Sequence, residues 1–498
     1  MRTKRHCRNP PPPSNQTPRR IGEDRISALP DAVLIHILSY LPVIDAVKTG
    51  VLSKRWARLW TWTPNLVFDQ LGEWDEKSNN FVPFIDAFLV LHSSPKIQKL
   101  ALDLDYKGKR LHLDSSLNKW LHFATRRAAE ELNLQLSDLG YFHSWDFRGP
   151  VERYLLPSFI YTNNSMKRLD MSFIDVQPPD AVSWPFLQSL SIRSAFISES
   201  TIQKILLGSP QLNLLELNNC EGFDLLHIDS KSLKRLVIHG IWYPTWGTDV
   251  LQISAPNILS LEISGHFYKR KVQLLDLSSL VDVIINLQLW VEDRYCLLVE
   301  YSNILREILQ KIRHVEKLTV GATSIKILSM LKERFWASLV STRKHLILNV
   351  EPTERNISDI ACFLQTSPQL ERLQINMASS HGNSRKVVES QKTSSSSLQL
   401  QFDPDSYTIL ESCWTPKNRL SKHSLERLMT VEIVGFNEIH DRNGIVIALV
   451  RSLLKHAKVL EKISIYAPEI EYNTDKGLVA QKLLTFRRAS RKALVQFS

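Results

Sequence analysis

Lys167-Arg168-Leu169-Asp170-Met171 returns, little changed, as Lys234-Arg235-Leu236-Val237-Ile238. Each copy holds two apolar residues two apart, so in an extended chain they share one face and their polar neighbours take the other. The same pair recurs as Leu100/Leu102, Leu132/Leu134, Leu190/Ile192, Leu215/Leu217, Leu261/Ile263, Leu318/Val320, Leu346/Leu348, Leu373/Ile375 and Ile463/Ile465. Between Leu169 and Leu261 the steps are 21, 25, 21 and 25 residues. A repeat of that length holds one strand and a returning segment, and a single copy cannot bury its own apolar edge. Stacked copies can, which predicts a curved parallel sheet with helices outside. Residues 200–207 and 302–312 have the apolar spacing of such helices.

The period is that of leucine-rich repeats, expected here over residues 94–378 in irregular form, because elsewhere the steps lengthen and several exceed thirty residues. Alternation along each strand turns Leu169 and Met171 inward and sets Arg168 and Asp170 outward. By the same rule Arg193, Glu216, Asn218, Arg235, His239 and Glu262 line the outward face, the candidate surface for a target protein. The set is polar and mixed in sign, which suits protein recognition better than a phosphate backbone.

Residues 26–62, ISALPDAVLIHILSYLPVIDAVKTGVLSKRWARLWTW, follow a different rule. Leu34, Ile37, Leu38 and Leu41 recur at helical spacing, Pro30 and Asp31 suit a first turn, and Pro42 stops the element. A second short helix fits residues 45–51, and a third starts at Ser53 with Trp56 and Trp60 one turn apart. A unit of fewer than about 40 residues seldom folds alone, so a partner is expected. Leu29-Pro30-Asp31, Ile37-Leu38-Ser39, Leu41-Pro42, Asp45-Ala46-Val47 and Leu52-Ser53-Lys54-Arg55-Trp56 with Leu59-Trp60 resemble the F-box of plant F-box proteins. Ile44 and Gly50 depart from the usual pattern, where a basic and a small polar residue are common. The resemblance implies an F-box over 24–65 that docks on a Skp-type adaptor and through it on a cullin ligase core. It puts Leu29, Pro30, Leu34, Ile37, Leu38 and Leu41 on the adaptor-facing surface, with Trp56 and Trp60 bracing the third helix.

Residues 379–397 are polar and serine-rich, which predicts a mobile surface insertion over 379–400. Behind it, the run from Thr430 to Phe436, a helical pattern through Ile445, Leu449, Leu453 and Leu454, and the closing Val495-Gln496-Phe497 resemble the FBD region of plant F-box/leucine-rich-repeat proteins. That implies an α/β FBD-like unit over 410–498, expected to cap the open end of the array. Residues 419–423 depart from the FBD pattern.

The 498 residues carry a net charge of +11, but six basic and no acidic residues fall in the first twenty, leaving +5 for the other 478. Residues 1–23 are therefore expected to be a disordered basic and proline-rich arm, and nucleic acid is not an expected partner. The arm runs into Pro10-Pro11-Pro12-Pro13 rather than an apolar segment, so no secretory signal is expected. No apolar stretch approaches the ~20 residues of a membrane helix. Five scattered cysteines fit reduced thiols, in the nucleus or the cytoplasm. Gly-rich phosphate loops, His-Glu-x-x-His and Cys-x-x-Cys pairs are missing, so no enzyme, cofactor or metal site is expected. Cys220, at the end of a repeat strand, is expected to be a small buried residue rather than a nucleophile. The expected function is a non-catalytic substrate receptor of a Skp–cullin–F-box ubiquitin ligase. The alternative is a leucine-rich-repeat scaffold or regulator with no part in ubiquitination.

Overall fold

The computed structural model describes residues 26, 28–70, 80–106, 110–137, 153–240, 250–267, 271–288, 295–328, 339–350, 360–361, 363–377, 425–436, 445–467, 483 and 485–497. The N-terminal arm, the serine-rich insertion and the first residues of the FBD-like segment lie outside them.

Among the described residues one sheet takes fifteen strands, all parallel and in unbroken chain order. They are β1 (Asn65–Asp69), β2 (Lys99–Asp105), β3 (Glu131–Ser137), β4 (Arg168–Ser172) and β5 (Ser189–Arg193). β6 (Leu214–Asn218), β7 (Arg235–His239), β8 (Ser260–Gly265), β9 (Asp282–Leu287) and β10 (Lys317–Val320) follow. β11 (His345–Val350), β12 (Arg372–Met377), β13 (Thr430–Val434), β14 (Lys462–Tyr466) and β15 (Leu494–Phe497) complete it. All eleven apolar pairs lie on these strands, and none of their side chains is more than 4% exposed. Register stacks like on like: Leu132, Leu169, Leu190, Leu215, Leu236 and Leu261 form one continuous line. This is how repeats that cannot close a core singly close one together.

Two boundaries differ from expectation. The sheet starts at Asn65 rather than near 94, because Leu66 and Phe68 form an earlier inward pair. It also runs past 378. β13 pairs with β12 through Leu373↔Val431 and Ile375↔Ile433, and β14 and β15 follow in parallel. The FBD-like segment therefore extends the array instead of forming a separate lid.

The returning segments fall into two kinds. Helices α3 (Phe81–Leu91), α4 (Arg110–Arg126), α5 (Glu199–Gly208), α6 (Tyr295–Lys311), α7 (Ala322–Leu328) and α8 (Ile445–His456) occupy the longer connections, and α5 and α6 cover both predicted helices. Ser198 caps α5, its hydroxyl accepting from the Thr201 N–H at 3.2 Å. A 25-residue step holds α5, whereas the steps of 21, 25 and 22 residues after β6, β7 and β8 hold no helix among the described residues. There the return is a short strand, and Leu225–His227, Val250–Ser254 and Lys271–Leu274 make a second parallel ladder.

Strand exits share one conformation. Phe173, Ser194 and Asn219, each directly after a strand, have φ of 63°, 49° and 53°, and the matching Gly265 and Gly435 have 86° and 80°. A left-handed residue reverses the chain immediately, and glycine supplies it without strain.

Candidate partner-binding surfaces

The N-terminal unit consists of α1 (Asp31–Leu38), α2 (Val43–Lys48) and 3₁₀ turns over Thr49–Val51 and Trp56–Trp62. Pro30 stands immediately before α1 in extended geometry, as a helix start needs. Arg55 clamps that start, its guanidinium donating to Asp31 at 2.7 Å and to the Leu29 carbonyl at 2.5 Å. The third element is a 3₁₀ run instead of an α-helix, and Trp56 and Trp60 both pack on the interior of the unit.

Burial divides the residues expected to face the adaptor. Leu34 and Leu38 are 0% and 1% exposed and form a small interior with Ala46, Trp56 and Leu59. They have no surface left to offer. Leu29 and Leu41 are half-buried against that interior, while Pro30 and Ile37 are exposed. The large exposed apolar residues of the unit include Val33, Ile37, Tyr40, Val51, Leu52 and Trp62, with Val51 at 89% and Tyr40 at 75%. Val33, Ile37 and Tyr40 are spaced i, i+4, i+7, a second helical stripe that the first one masks. Several large apolar side chains left exposed on so small a unit are the mark of an interaction site.

Trp60 belongs to both bodies. It packs on the small interior and meets Phe88 of α3 with ring centroids 5.1 Å apart. Thr63 and Pro64 alone separate the last 3₁₀ turn from β1. The joint is bonded along its length: Ser93 N–H donates to Thr61 O at 2.8 Å, and the Asn65 amide to Ser39 O at 3.2 Å. His92 is buried there with Nε2 2.9 Å from Thr63 O, and burial pushes its pKa down.

On the outward face of the sheet the predicted target residues stand where alternation puts them, but largely bonded to one another. Arg168 pairs with Glu131 at 2.7 Å, Arg193 with Asp170 at 2.7 Å, and Arg235 with Glu262 at 3.0 Å. His239 lies 2.9 Å from the Ser264 hydroxyl, and burial lowers its pKa. Glu216 and Asn218 sit half-buried between these pairs. Sequence patterning identified the face and missed the pairing, because cross-strand partners depend on register.

Cys220 is buried, and burial pushes its thiol up to about 12, far from the range of a nucleophile. Among the described residues no three His, Cys, Asp or Glu side chains are grouped to hold a metal ion, and no helix is long and apolar enough to cross a membrane.

Comparison with known proteins agrees with this layout. Residues 26–68 match the family described as F-box domain, and residues 88–482 match the family described as At1g61320/AtMIF1, LRR domain. The F-box/LRR-repeat protein At5g02910 of Arabidopsis thaliana is 30% identical over 443 residues, 88% of this chain and 87% of the relative. The F-box/LRR-repeat protein At3g03360 of the same plant is 30% identical over 370 residues, 72% of each chain. An F-box unit fused to a parallel repeat sheet, each matched by its family model, with a relative 30% identical over 88% of the chain, makes this chain a member of the F-box/LRR-repeat protein family.

Proposed function

We propose that the chain is the substrate receptor of a Skp–cullin–F-box ubiquitin ligase, acting in the nucleus or the cytoplasm. The observation that carries this reading is the exposed apolar surface of the F-box, Val33, Ile37, Tyr40, Val51 and Leu52, beside an interior closed without it. That surface takes the Skp-type adaptor, and the repeats hold the target protein. The chain does no chemistry of its own. It raises the effective concentration of the target's lysines at a conjugating enzyme held by the same scaffold.

Co-purification of the full chain with a plant Skp adaptor tests the reading. Wild type is expected to retain the adaptor, and Ile37→Glu with Leu52→Glu to lose it while the melting temperature stays unchanged, since neither side chain contributes to the interior. Failure of the wild type to bind any adaptor at micromolar concentration overturns the proposal.

A further inference from the structure

The outward face of the sheet changes character after β10. Up to that strand cations are spent on neighbouring carboxylates: Arg168 on Glu131, Arg193 on Asp170, Arg235 on Glu262, and Lys317 on Asp282 at 3.4 Å. A ligand anion would have to displace a partner from each. In register with Lys317 the next strands carry His345, Arg372, Thr430 and Lys462. Arg372 and Lys462 are exposed and make no ion pair with a described residue. His345 lies between Lys317 and Arg372, and its pKa is pulled down by burial and then by those two cations, with Glu371 and Glu432 opposing. Glu432 stands beside Gln374 on β13, so an anion placed here meets Arg372, which no described carboxylate pairs, with Glu371 and Glu432 close by.

The next two outward rows add other chemistry. Ile284, Thr319, Ile347 and Gln374 stand side by side on β9 to β12, the two isoleucines half-buried. Beyond them, Asn376 donates to Asn349 at 2.8 Å, and Gln374 donates to Asn376 at 2.9 Å. Across β10–β12 the rows are thus Lys317, His345 and Arg372, then Thr319, Ile347 and Gln374, with the amides of Asn349 and Asn376 beyond, while β9 opens the first row with Asp282 and the second with Ile284.

We propose that β9–β12, rather than the self-paired β4–β8, form the target-docking face, and that its occupant is an extended protein segment presenting a carboxylate beside an aliphatic side chain. The carboxylate lies on Arg372 and His345, the aliphatic group covers Ile284 and Ile347, and the amides of Asn349 and Asn376 bond the segment's backbone. The proposal rests on the reading of the repeats as the part that holds the target.

The test uses the full chain co-expressed with a Skp adaptor and three dye-labelled nine-residue peptides, alike but for a central Glu-Leu, Lys-Leu or Glu-Ser, measured by fluorescence polarisation. Wild type is expected to favour Glu-Leu over each of the others by about tenfold. Arg372→Glu reverses the Glu-Leu over Lys-Leu order, Arg372→Lys keeps it, and Ile347→Ser erases the difference between Glu-Leu and Glu-Ser. Arg168→Glu, on the self-paired face, changes nothing. An absence of acid preference in the wild type, its survival in Arg372→Glu, or its loss in Arg168→Glu overturns the proposal. Adaptor retention is scored on the same samples. A chain that sorts the peptides without holding an adaptor keeps this proposal and loses the ligase reading; one that holds the adaptor without sorting them does the reverse.

Discussion

Leu34 and Ile37 stand three positions apart on α1 and meet opposite fates, the first wholly enclosed and the second 43% exposed. Leu34→Ala is expected to cost about 2–5 kcal/mol, as enclosed leucines do when truncated. In thermal unfolding it lowers the first transition, and adaptor retention falls with it, whereas Ile37→Glu separates the two readouts. At the other side of the joint, Glu130 receives hydrogen bonds from Lys167 and Lys96, which hold its carboxyl at about 2. Its folded pKa lies below the ordinary value of 4.5. The stabilisation is therefore complete above that value and is lost as pH falls toward 2. Both ammonium groups are half-exposed, so Glu130→Gln is expected to cost less than about 1 kcal/mol at pH 7. Urea unfolding should find that cost shrinking at pH 3.

Helical periodicity reports that a face is buried, not what buries it. That is why the F-box was legible in the sequence while the direction of its apolar seam was not: Leu34 and Leu38 close on Trp56 and Leu59 of the same unit. The repeat strands were legible for a related reason, since an inward pair is buried whichever neighbours it meets. Leu66/Phe68 and Val283/Ile285 escaped notice because more apolar surroundings blurred the two-residue alternation. Charge pairing escaped because Arg168 and Glu131 lie 37 residues apart and meet only through register. The left-handed strand exits were also silent, being filled by Phe, Ser and Asn as readily as by Gly. Gly435 makes that element testable. It has φ of 80°, and a Cβ there would lie 2.5 Å from Met377 O. Gly435→Ala is expected to cost about 1–3 kcal/mol, read as earlier loss of hydrogen-exchange protection in β13 and β14.

At the scale of the whole molecule, the continuous core runs from Val43 to Ala493 without a break between repeats and C-terminal segment. Ending the chain at Met377 would bare Leu370, Leu373 and Ile375 along with the open edge of β12. Such a chain is expected to aggregate in size-exclusion chromatography, while an independent terminal unit could be removed and leave a soluble remainder.

The short, bonded link of Thr63 and Pro64 gives the sheet a fixed origin. Strands lie about 4.8 Å apart, so β4 stands about 14 Å from β1 along the sheet, and β11 about 48 Å. Position on the array is thereby distance from the F-box. Under the proposed ligase role, a protein held near β4 and one held near β11 would bring different lysines within reach of the same ubiquitin donor, and the sheet would serve as a ruler whose graduations are its strands.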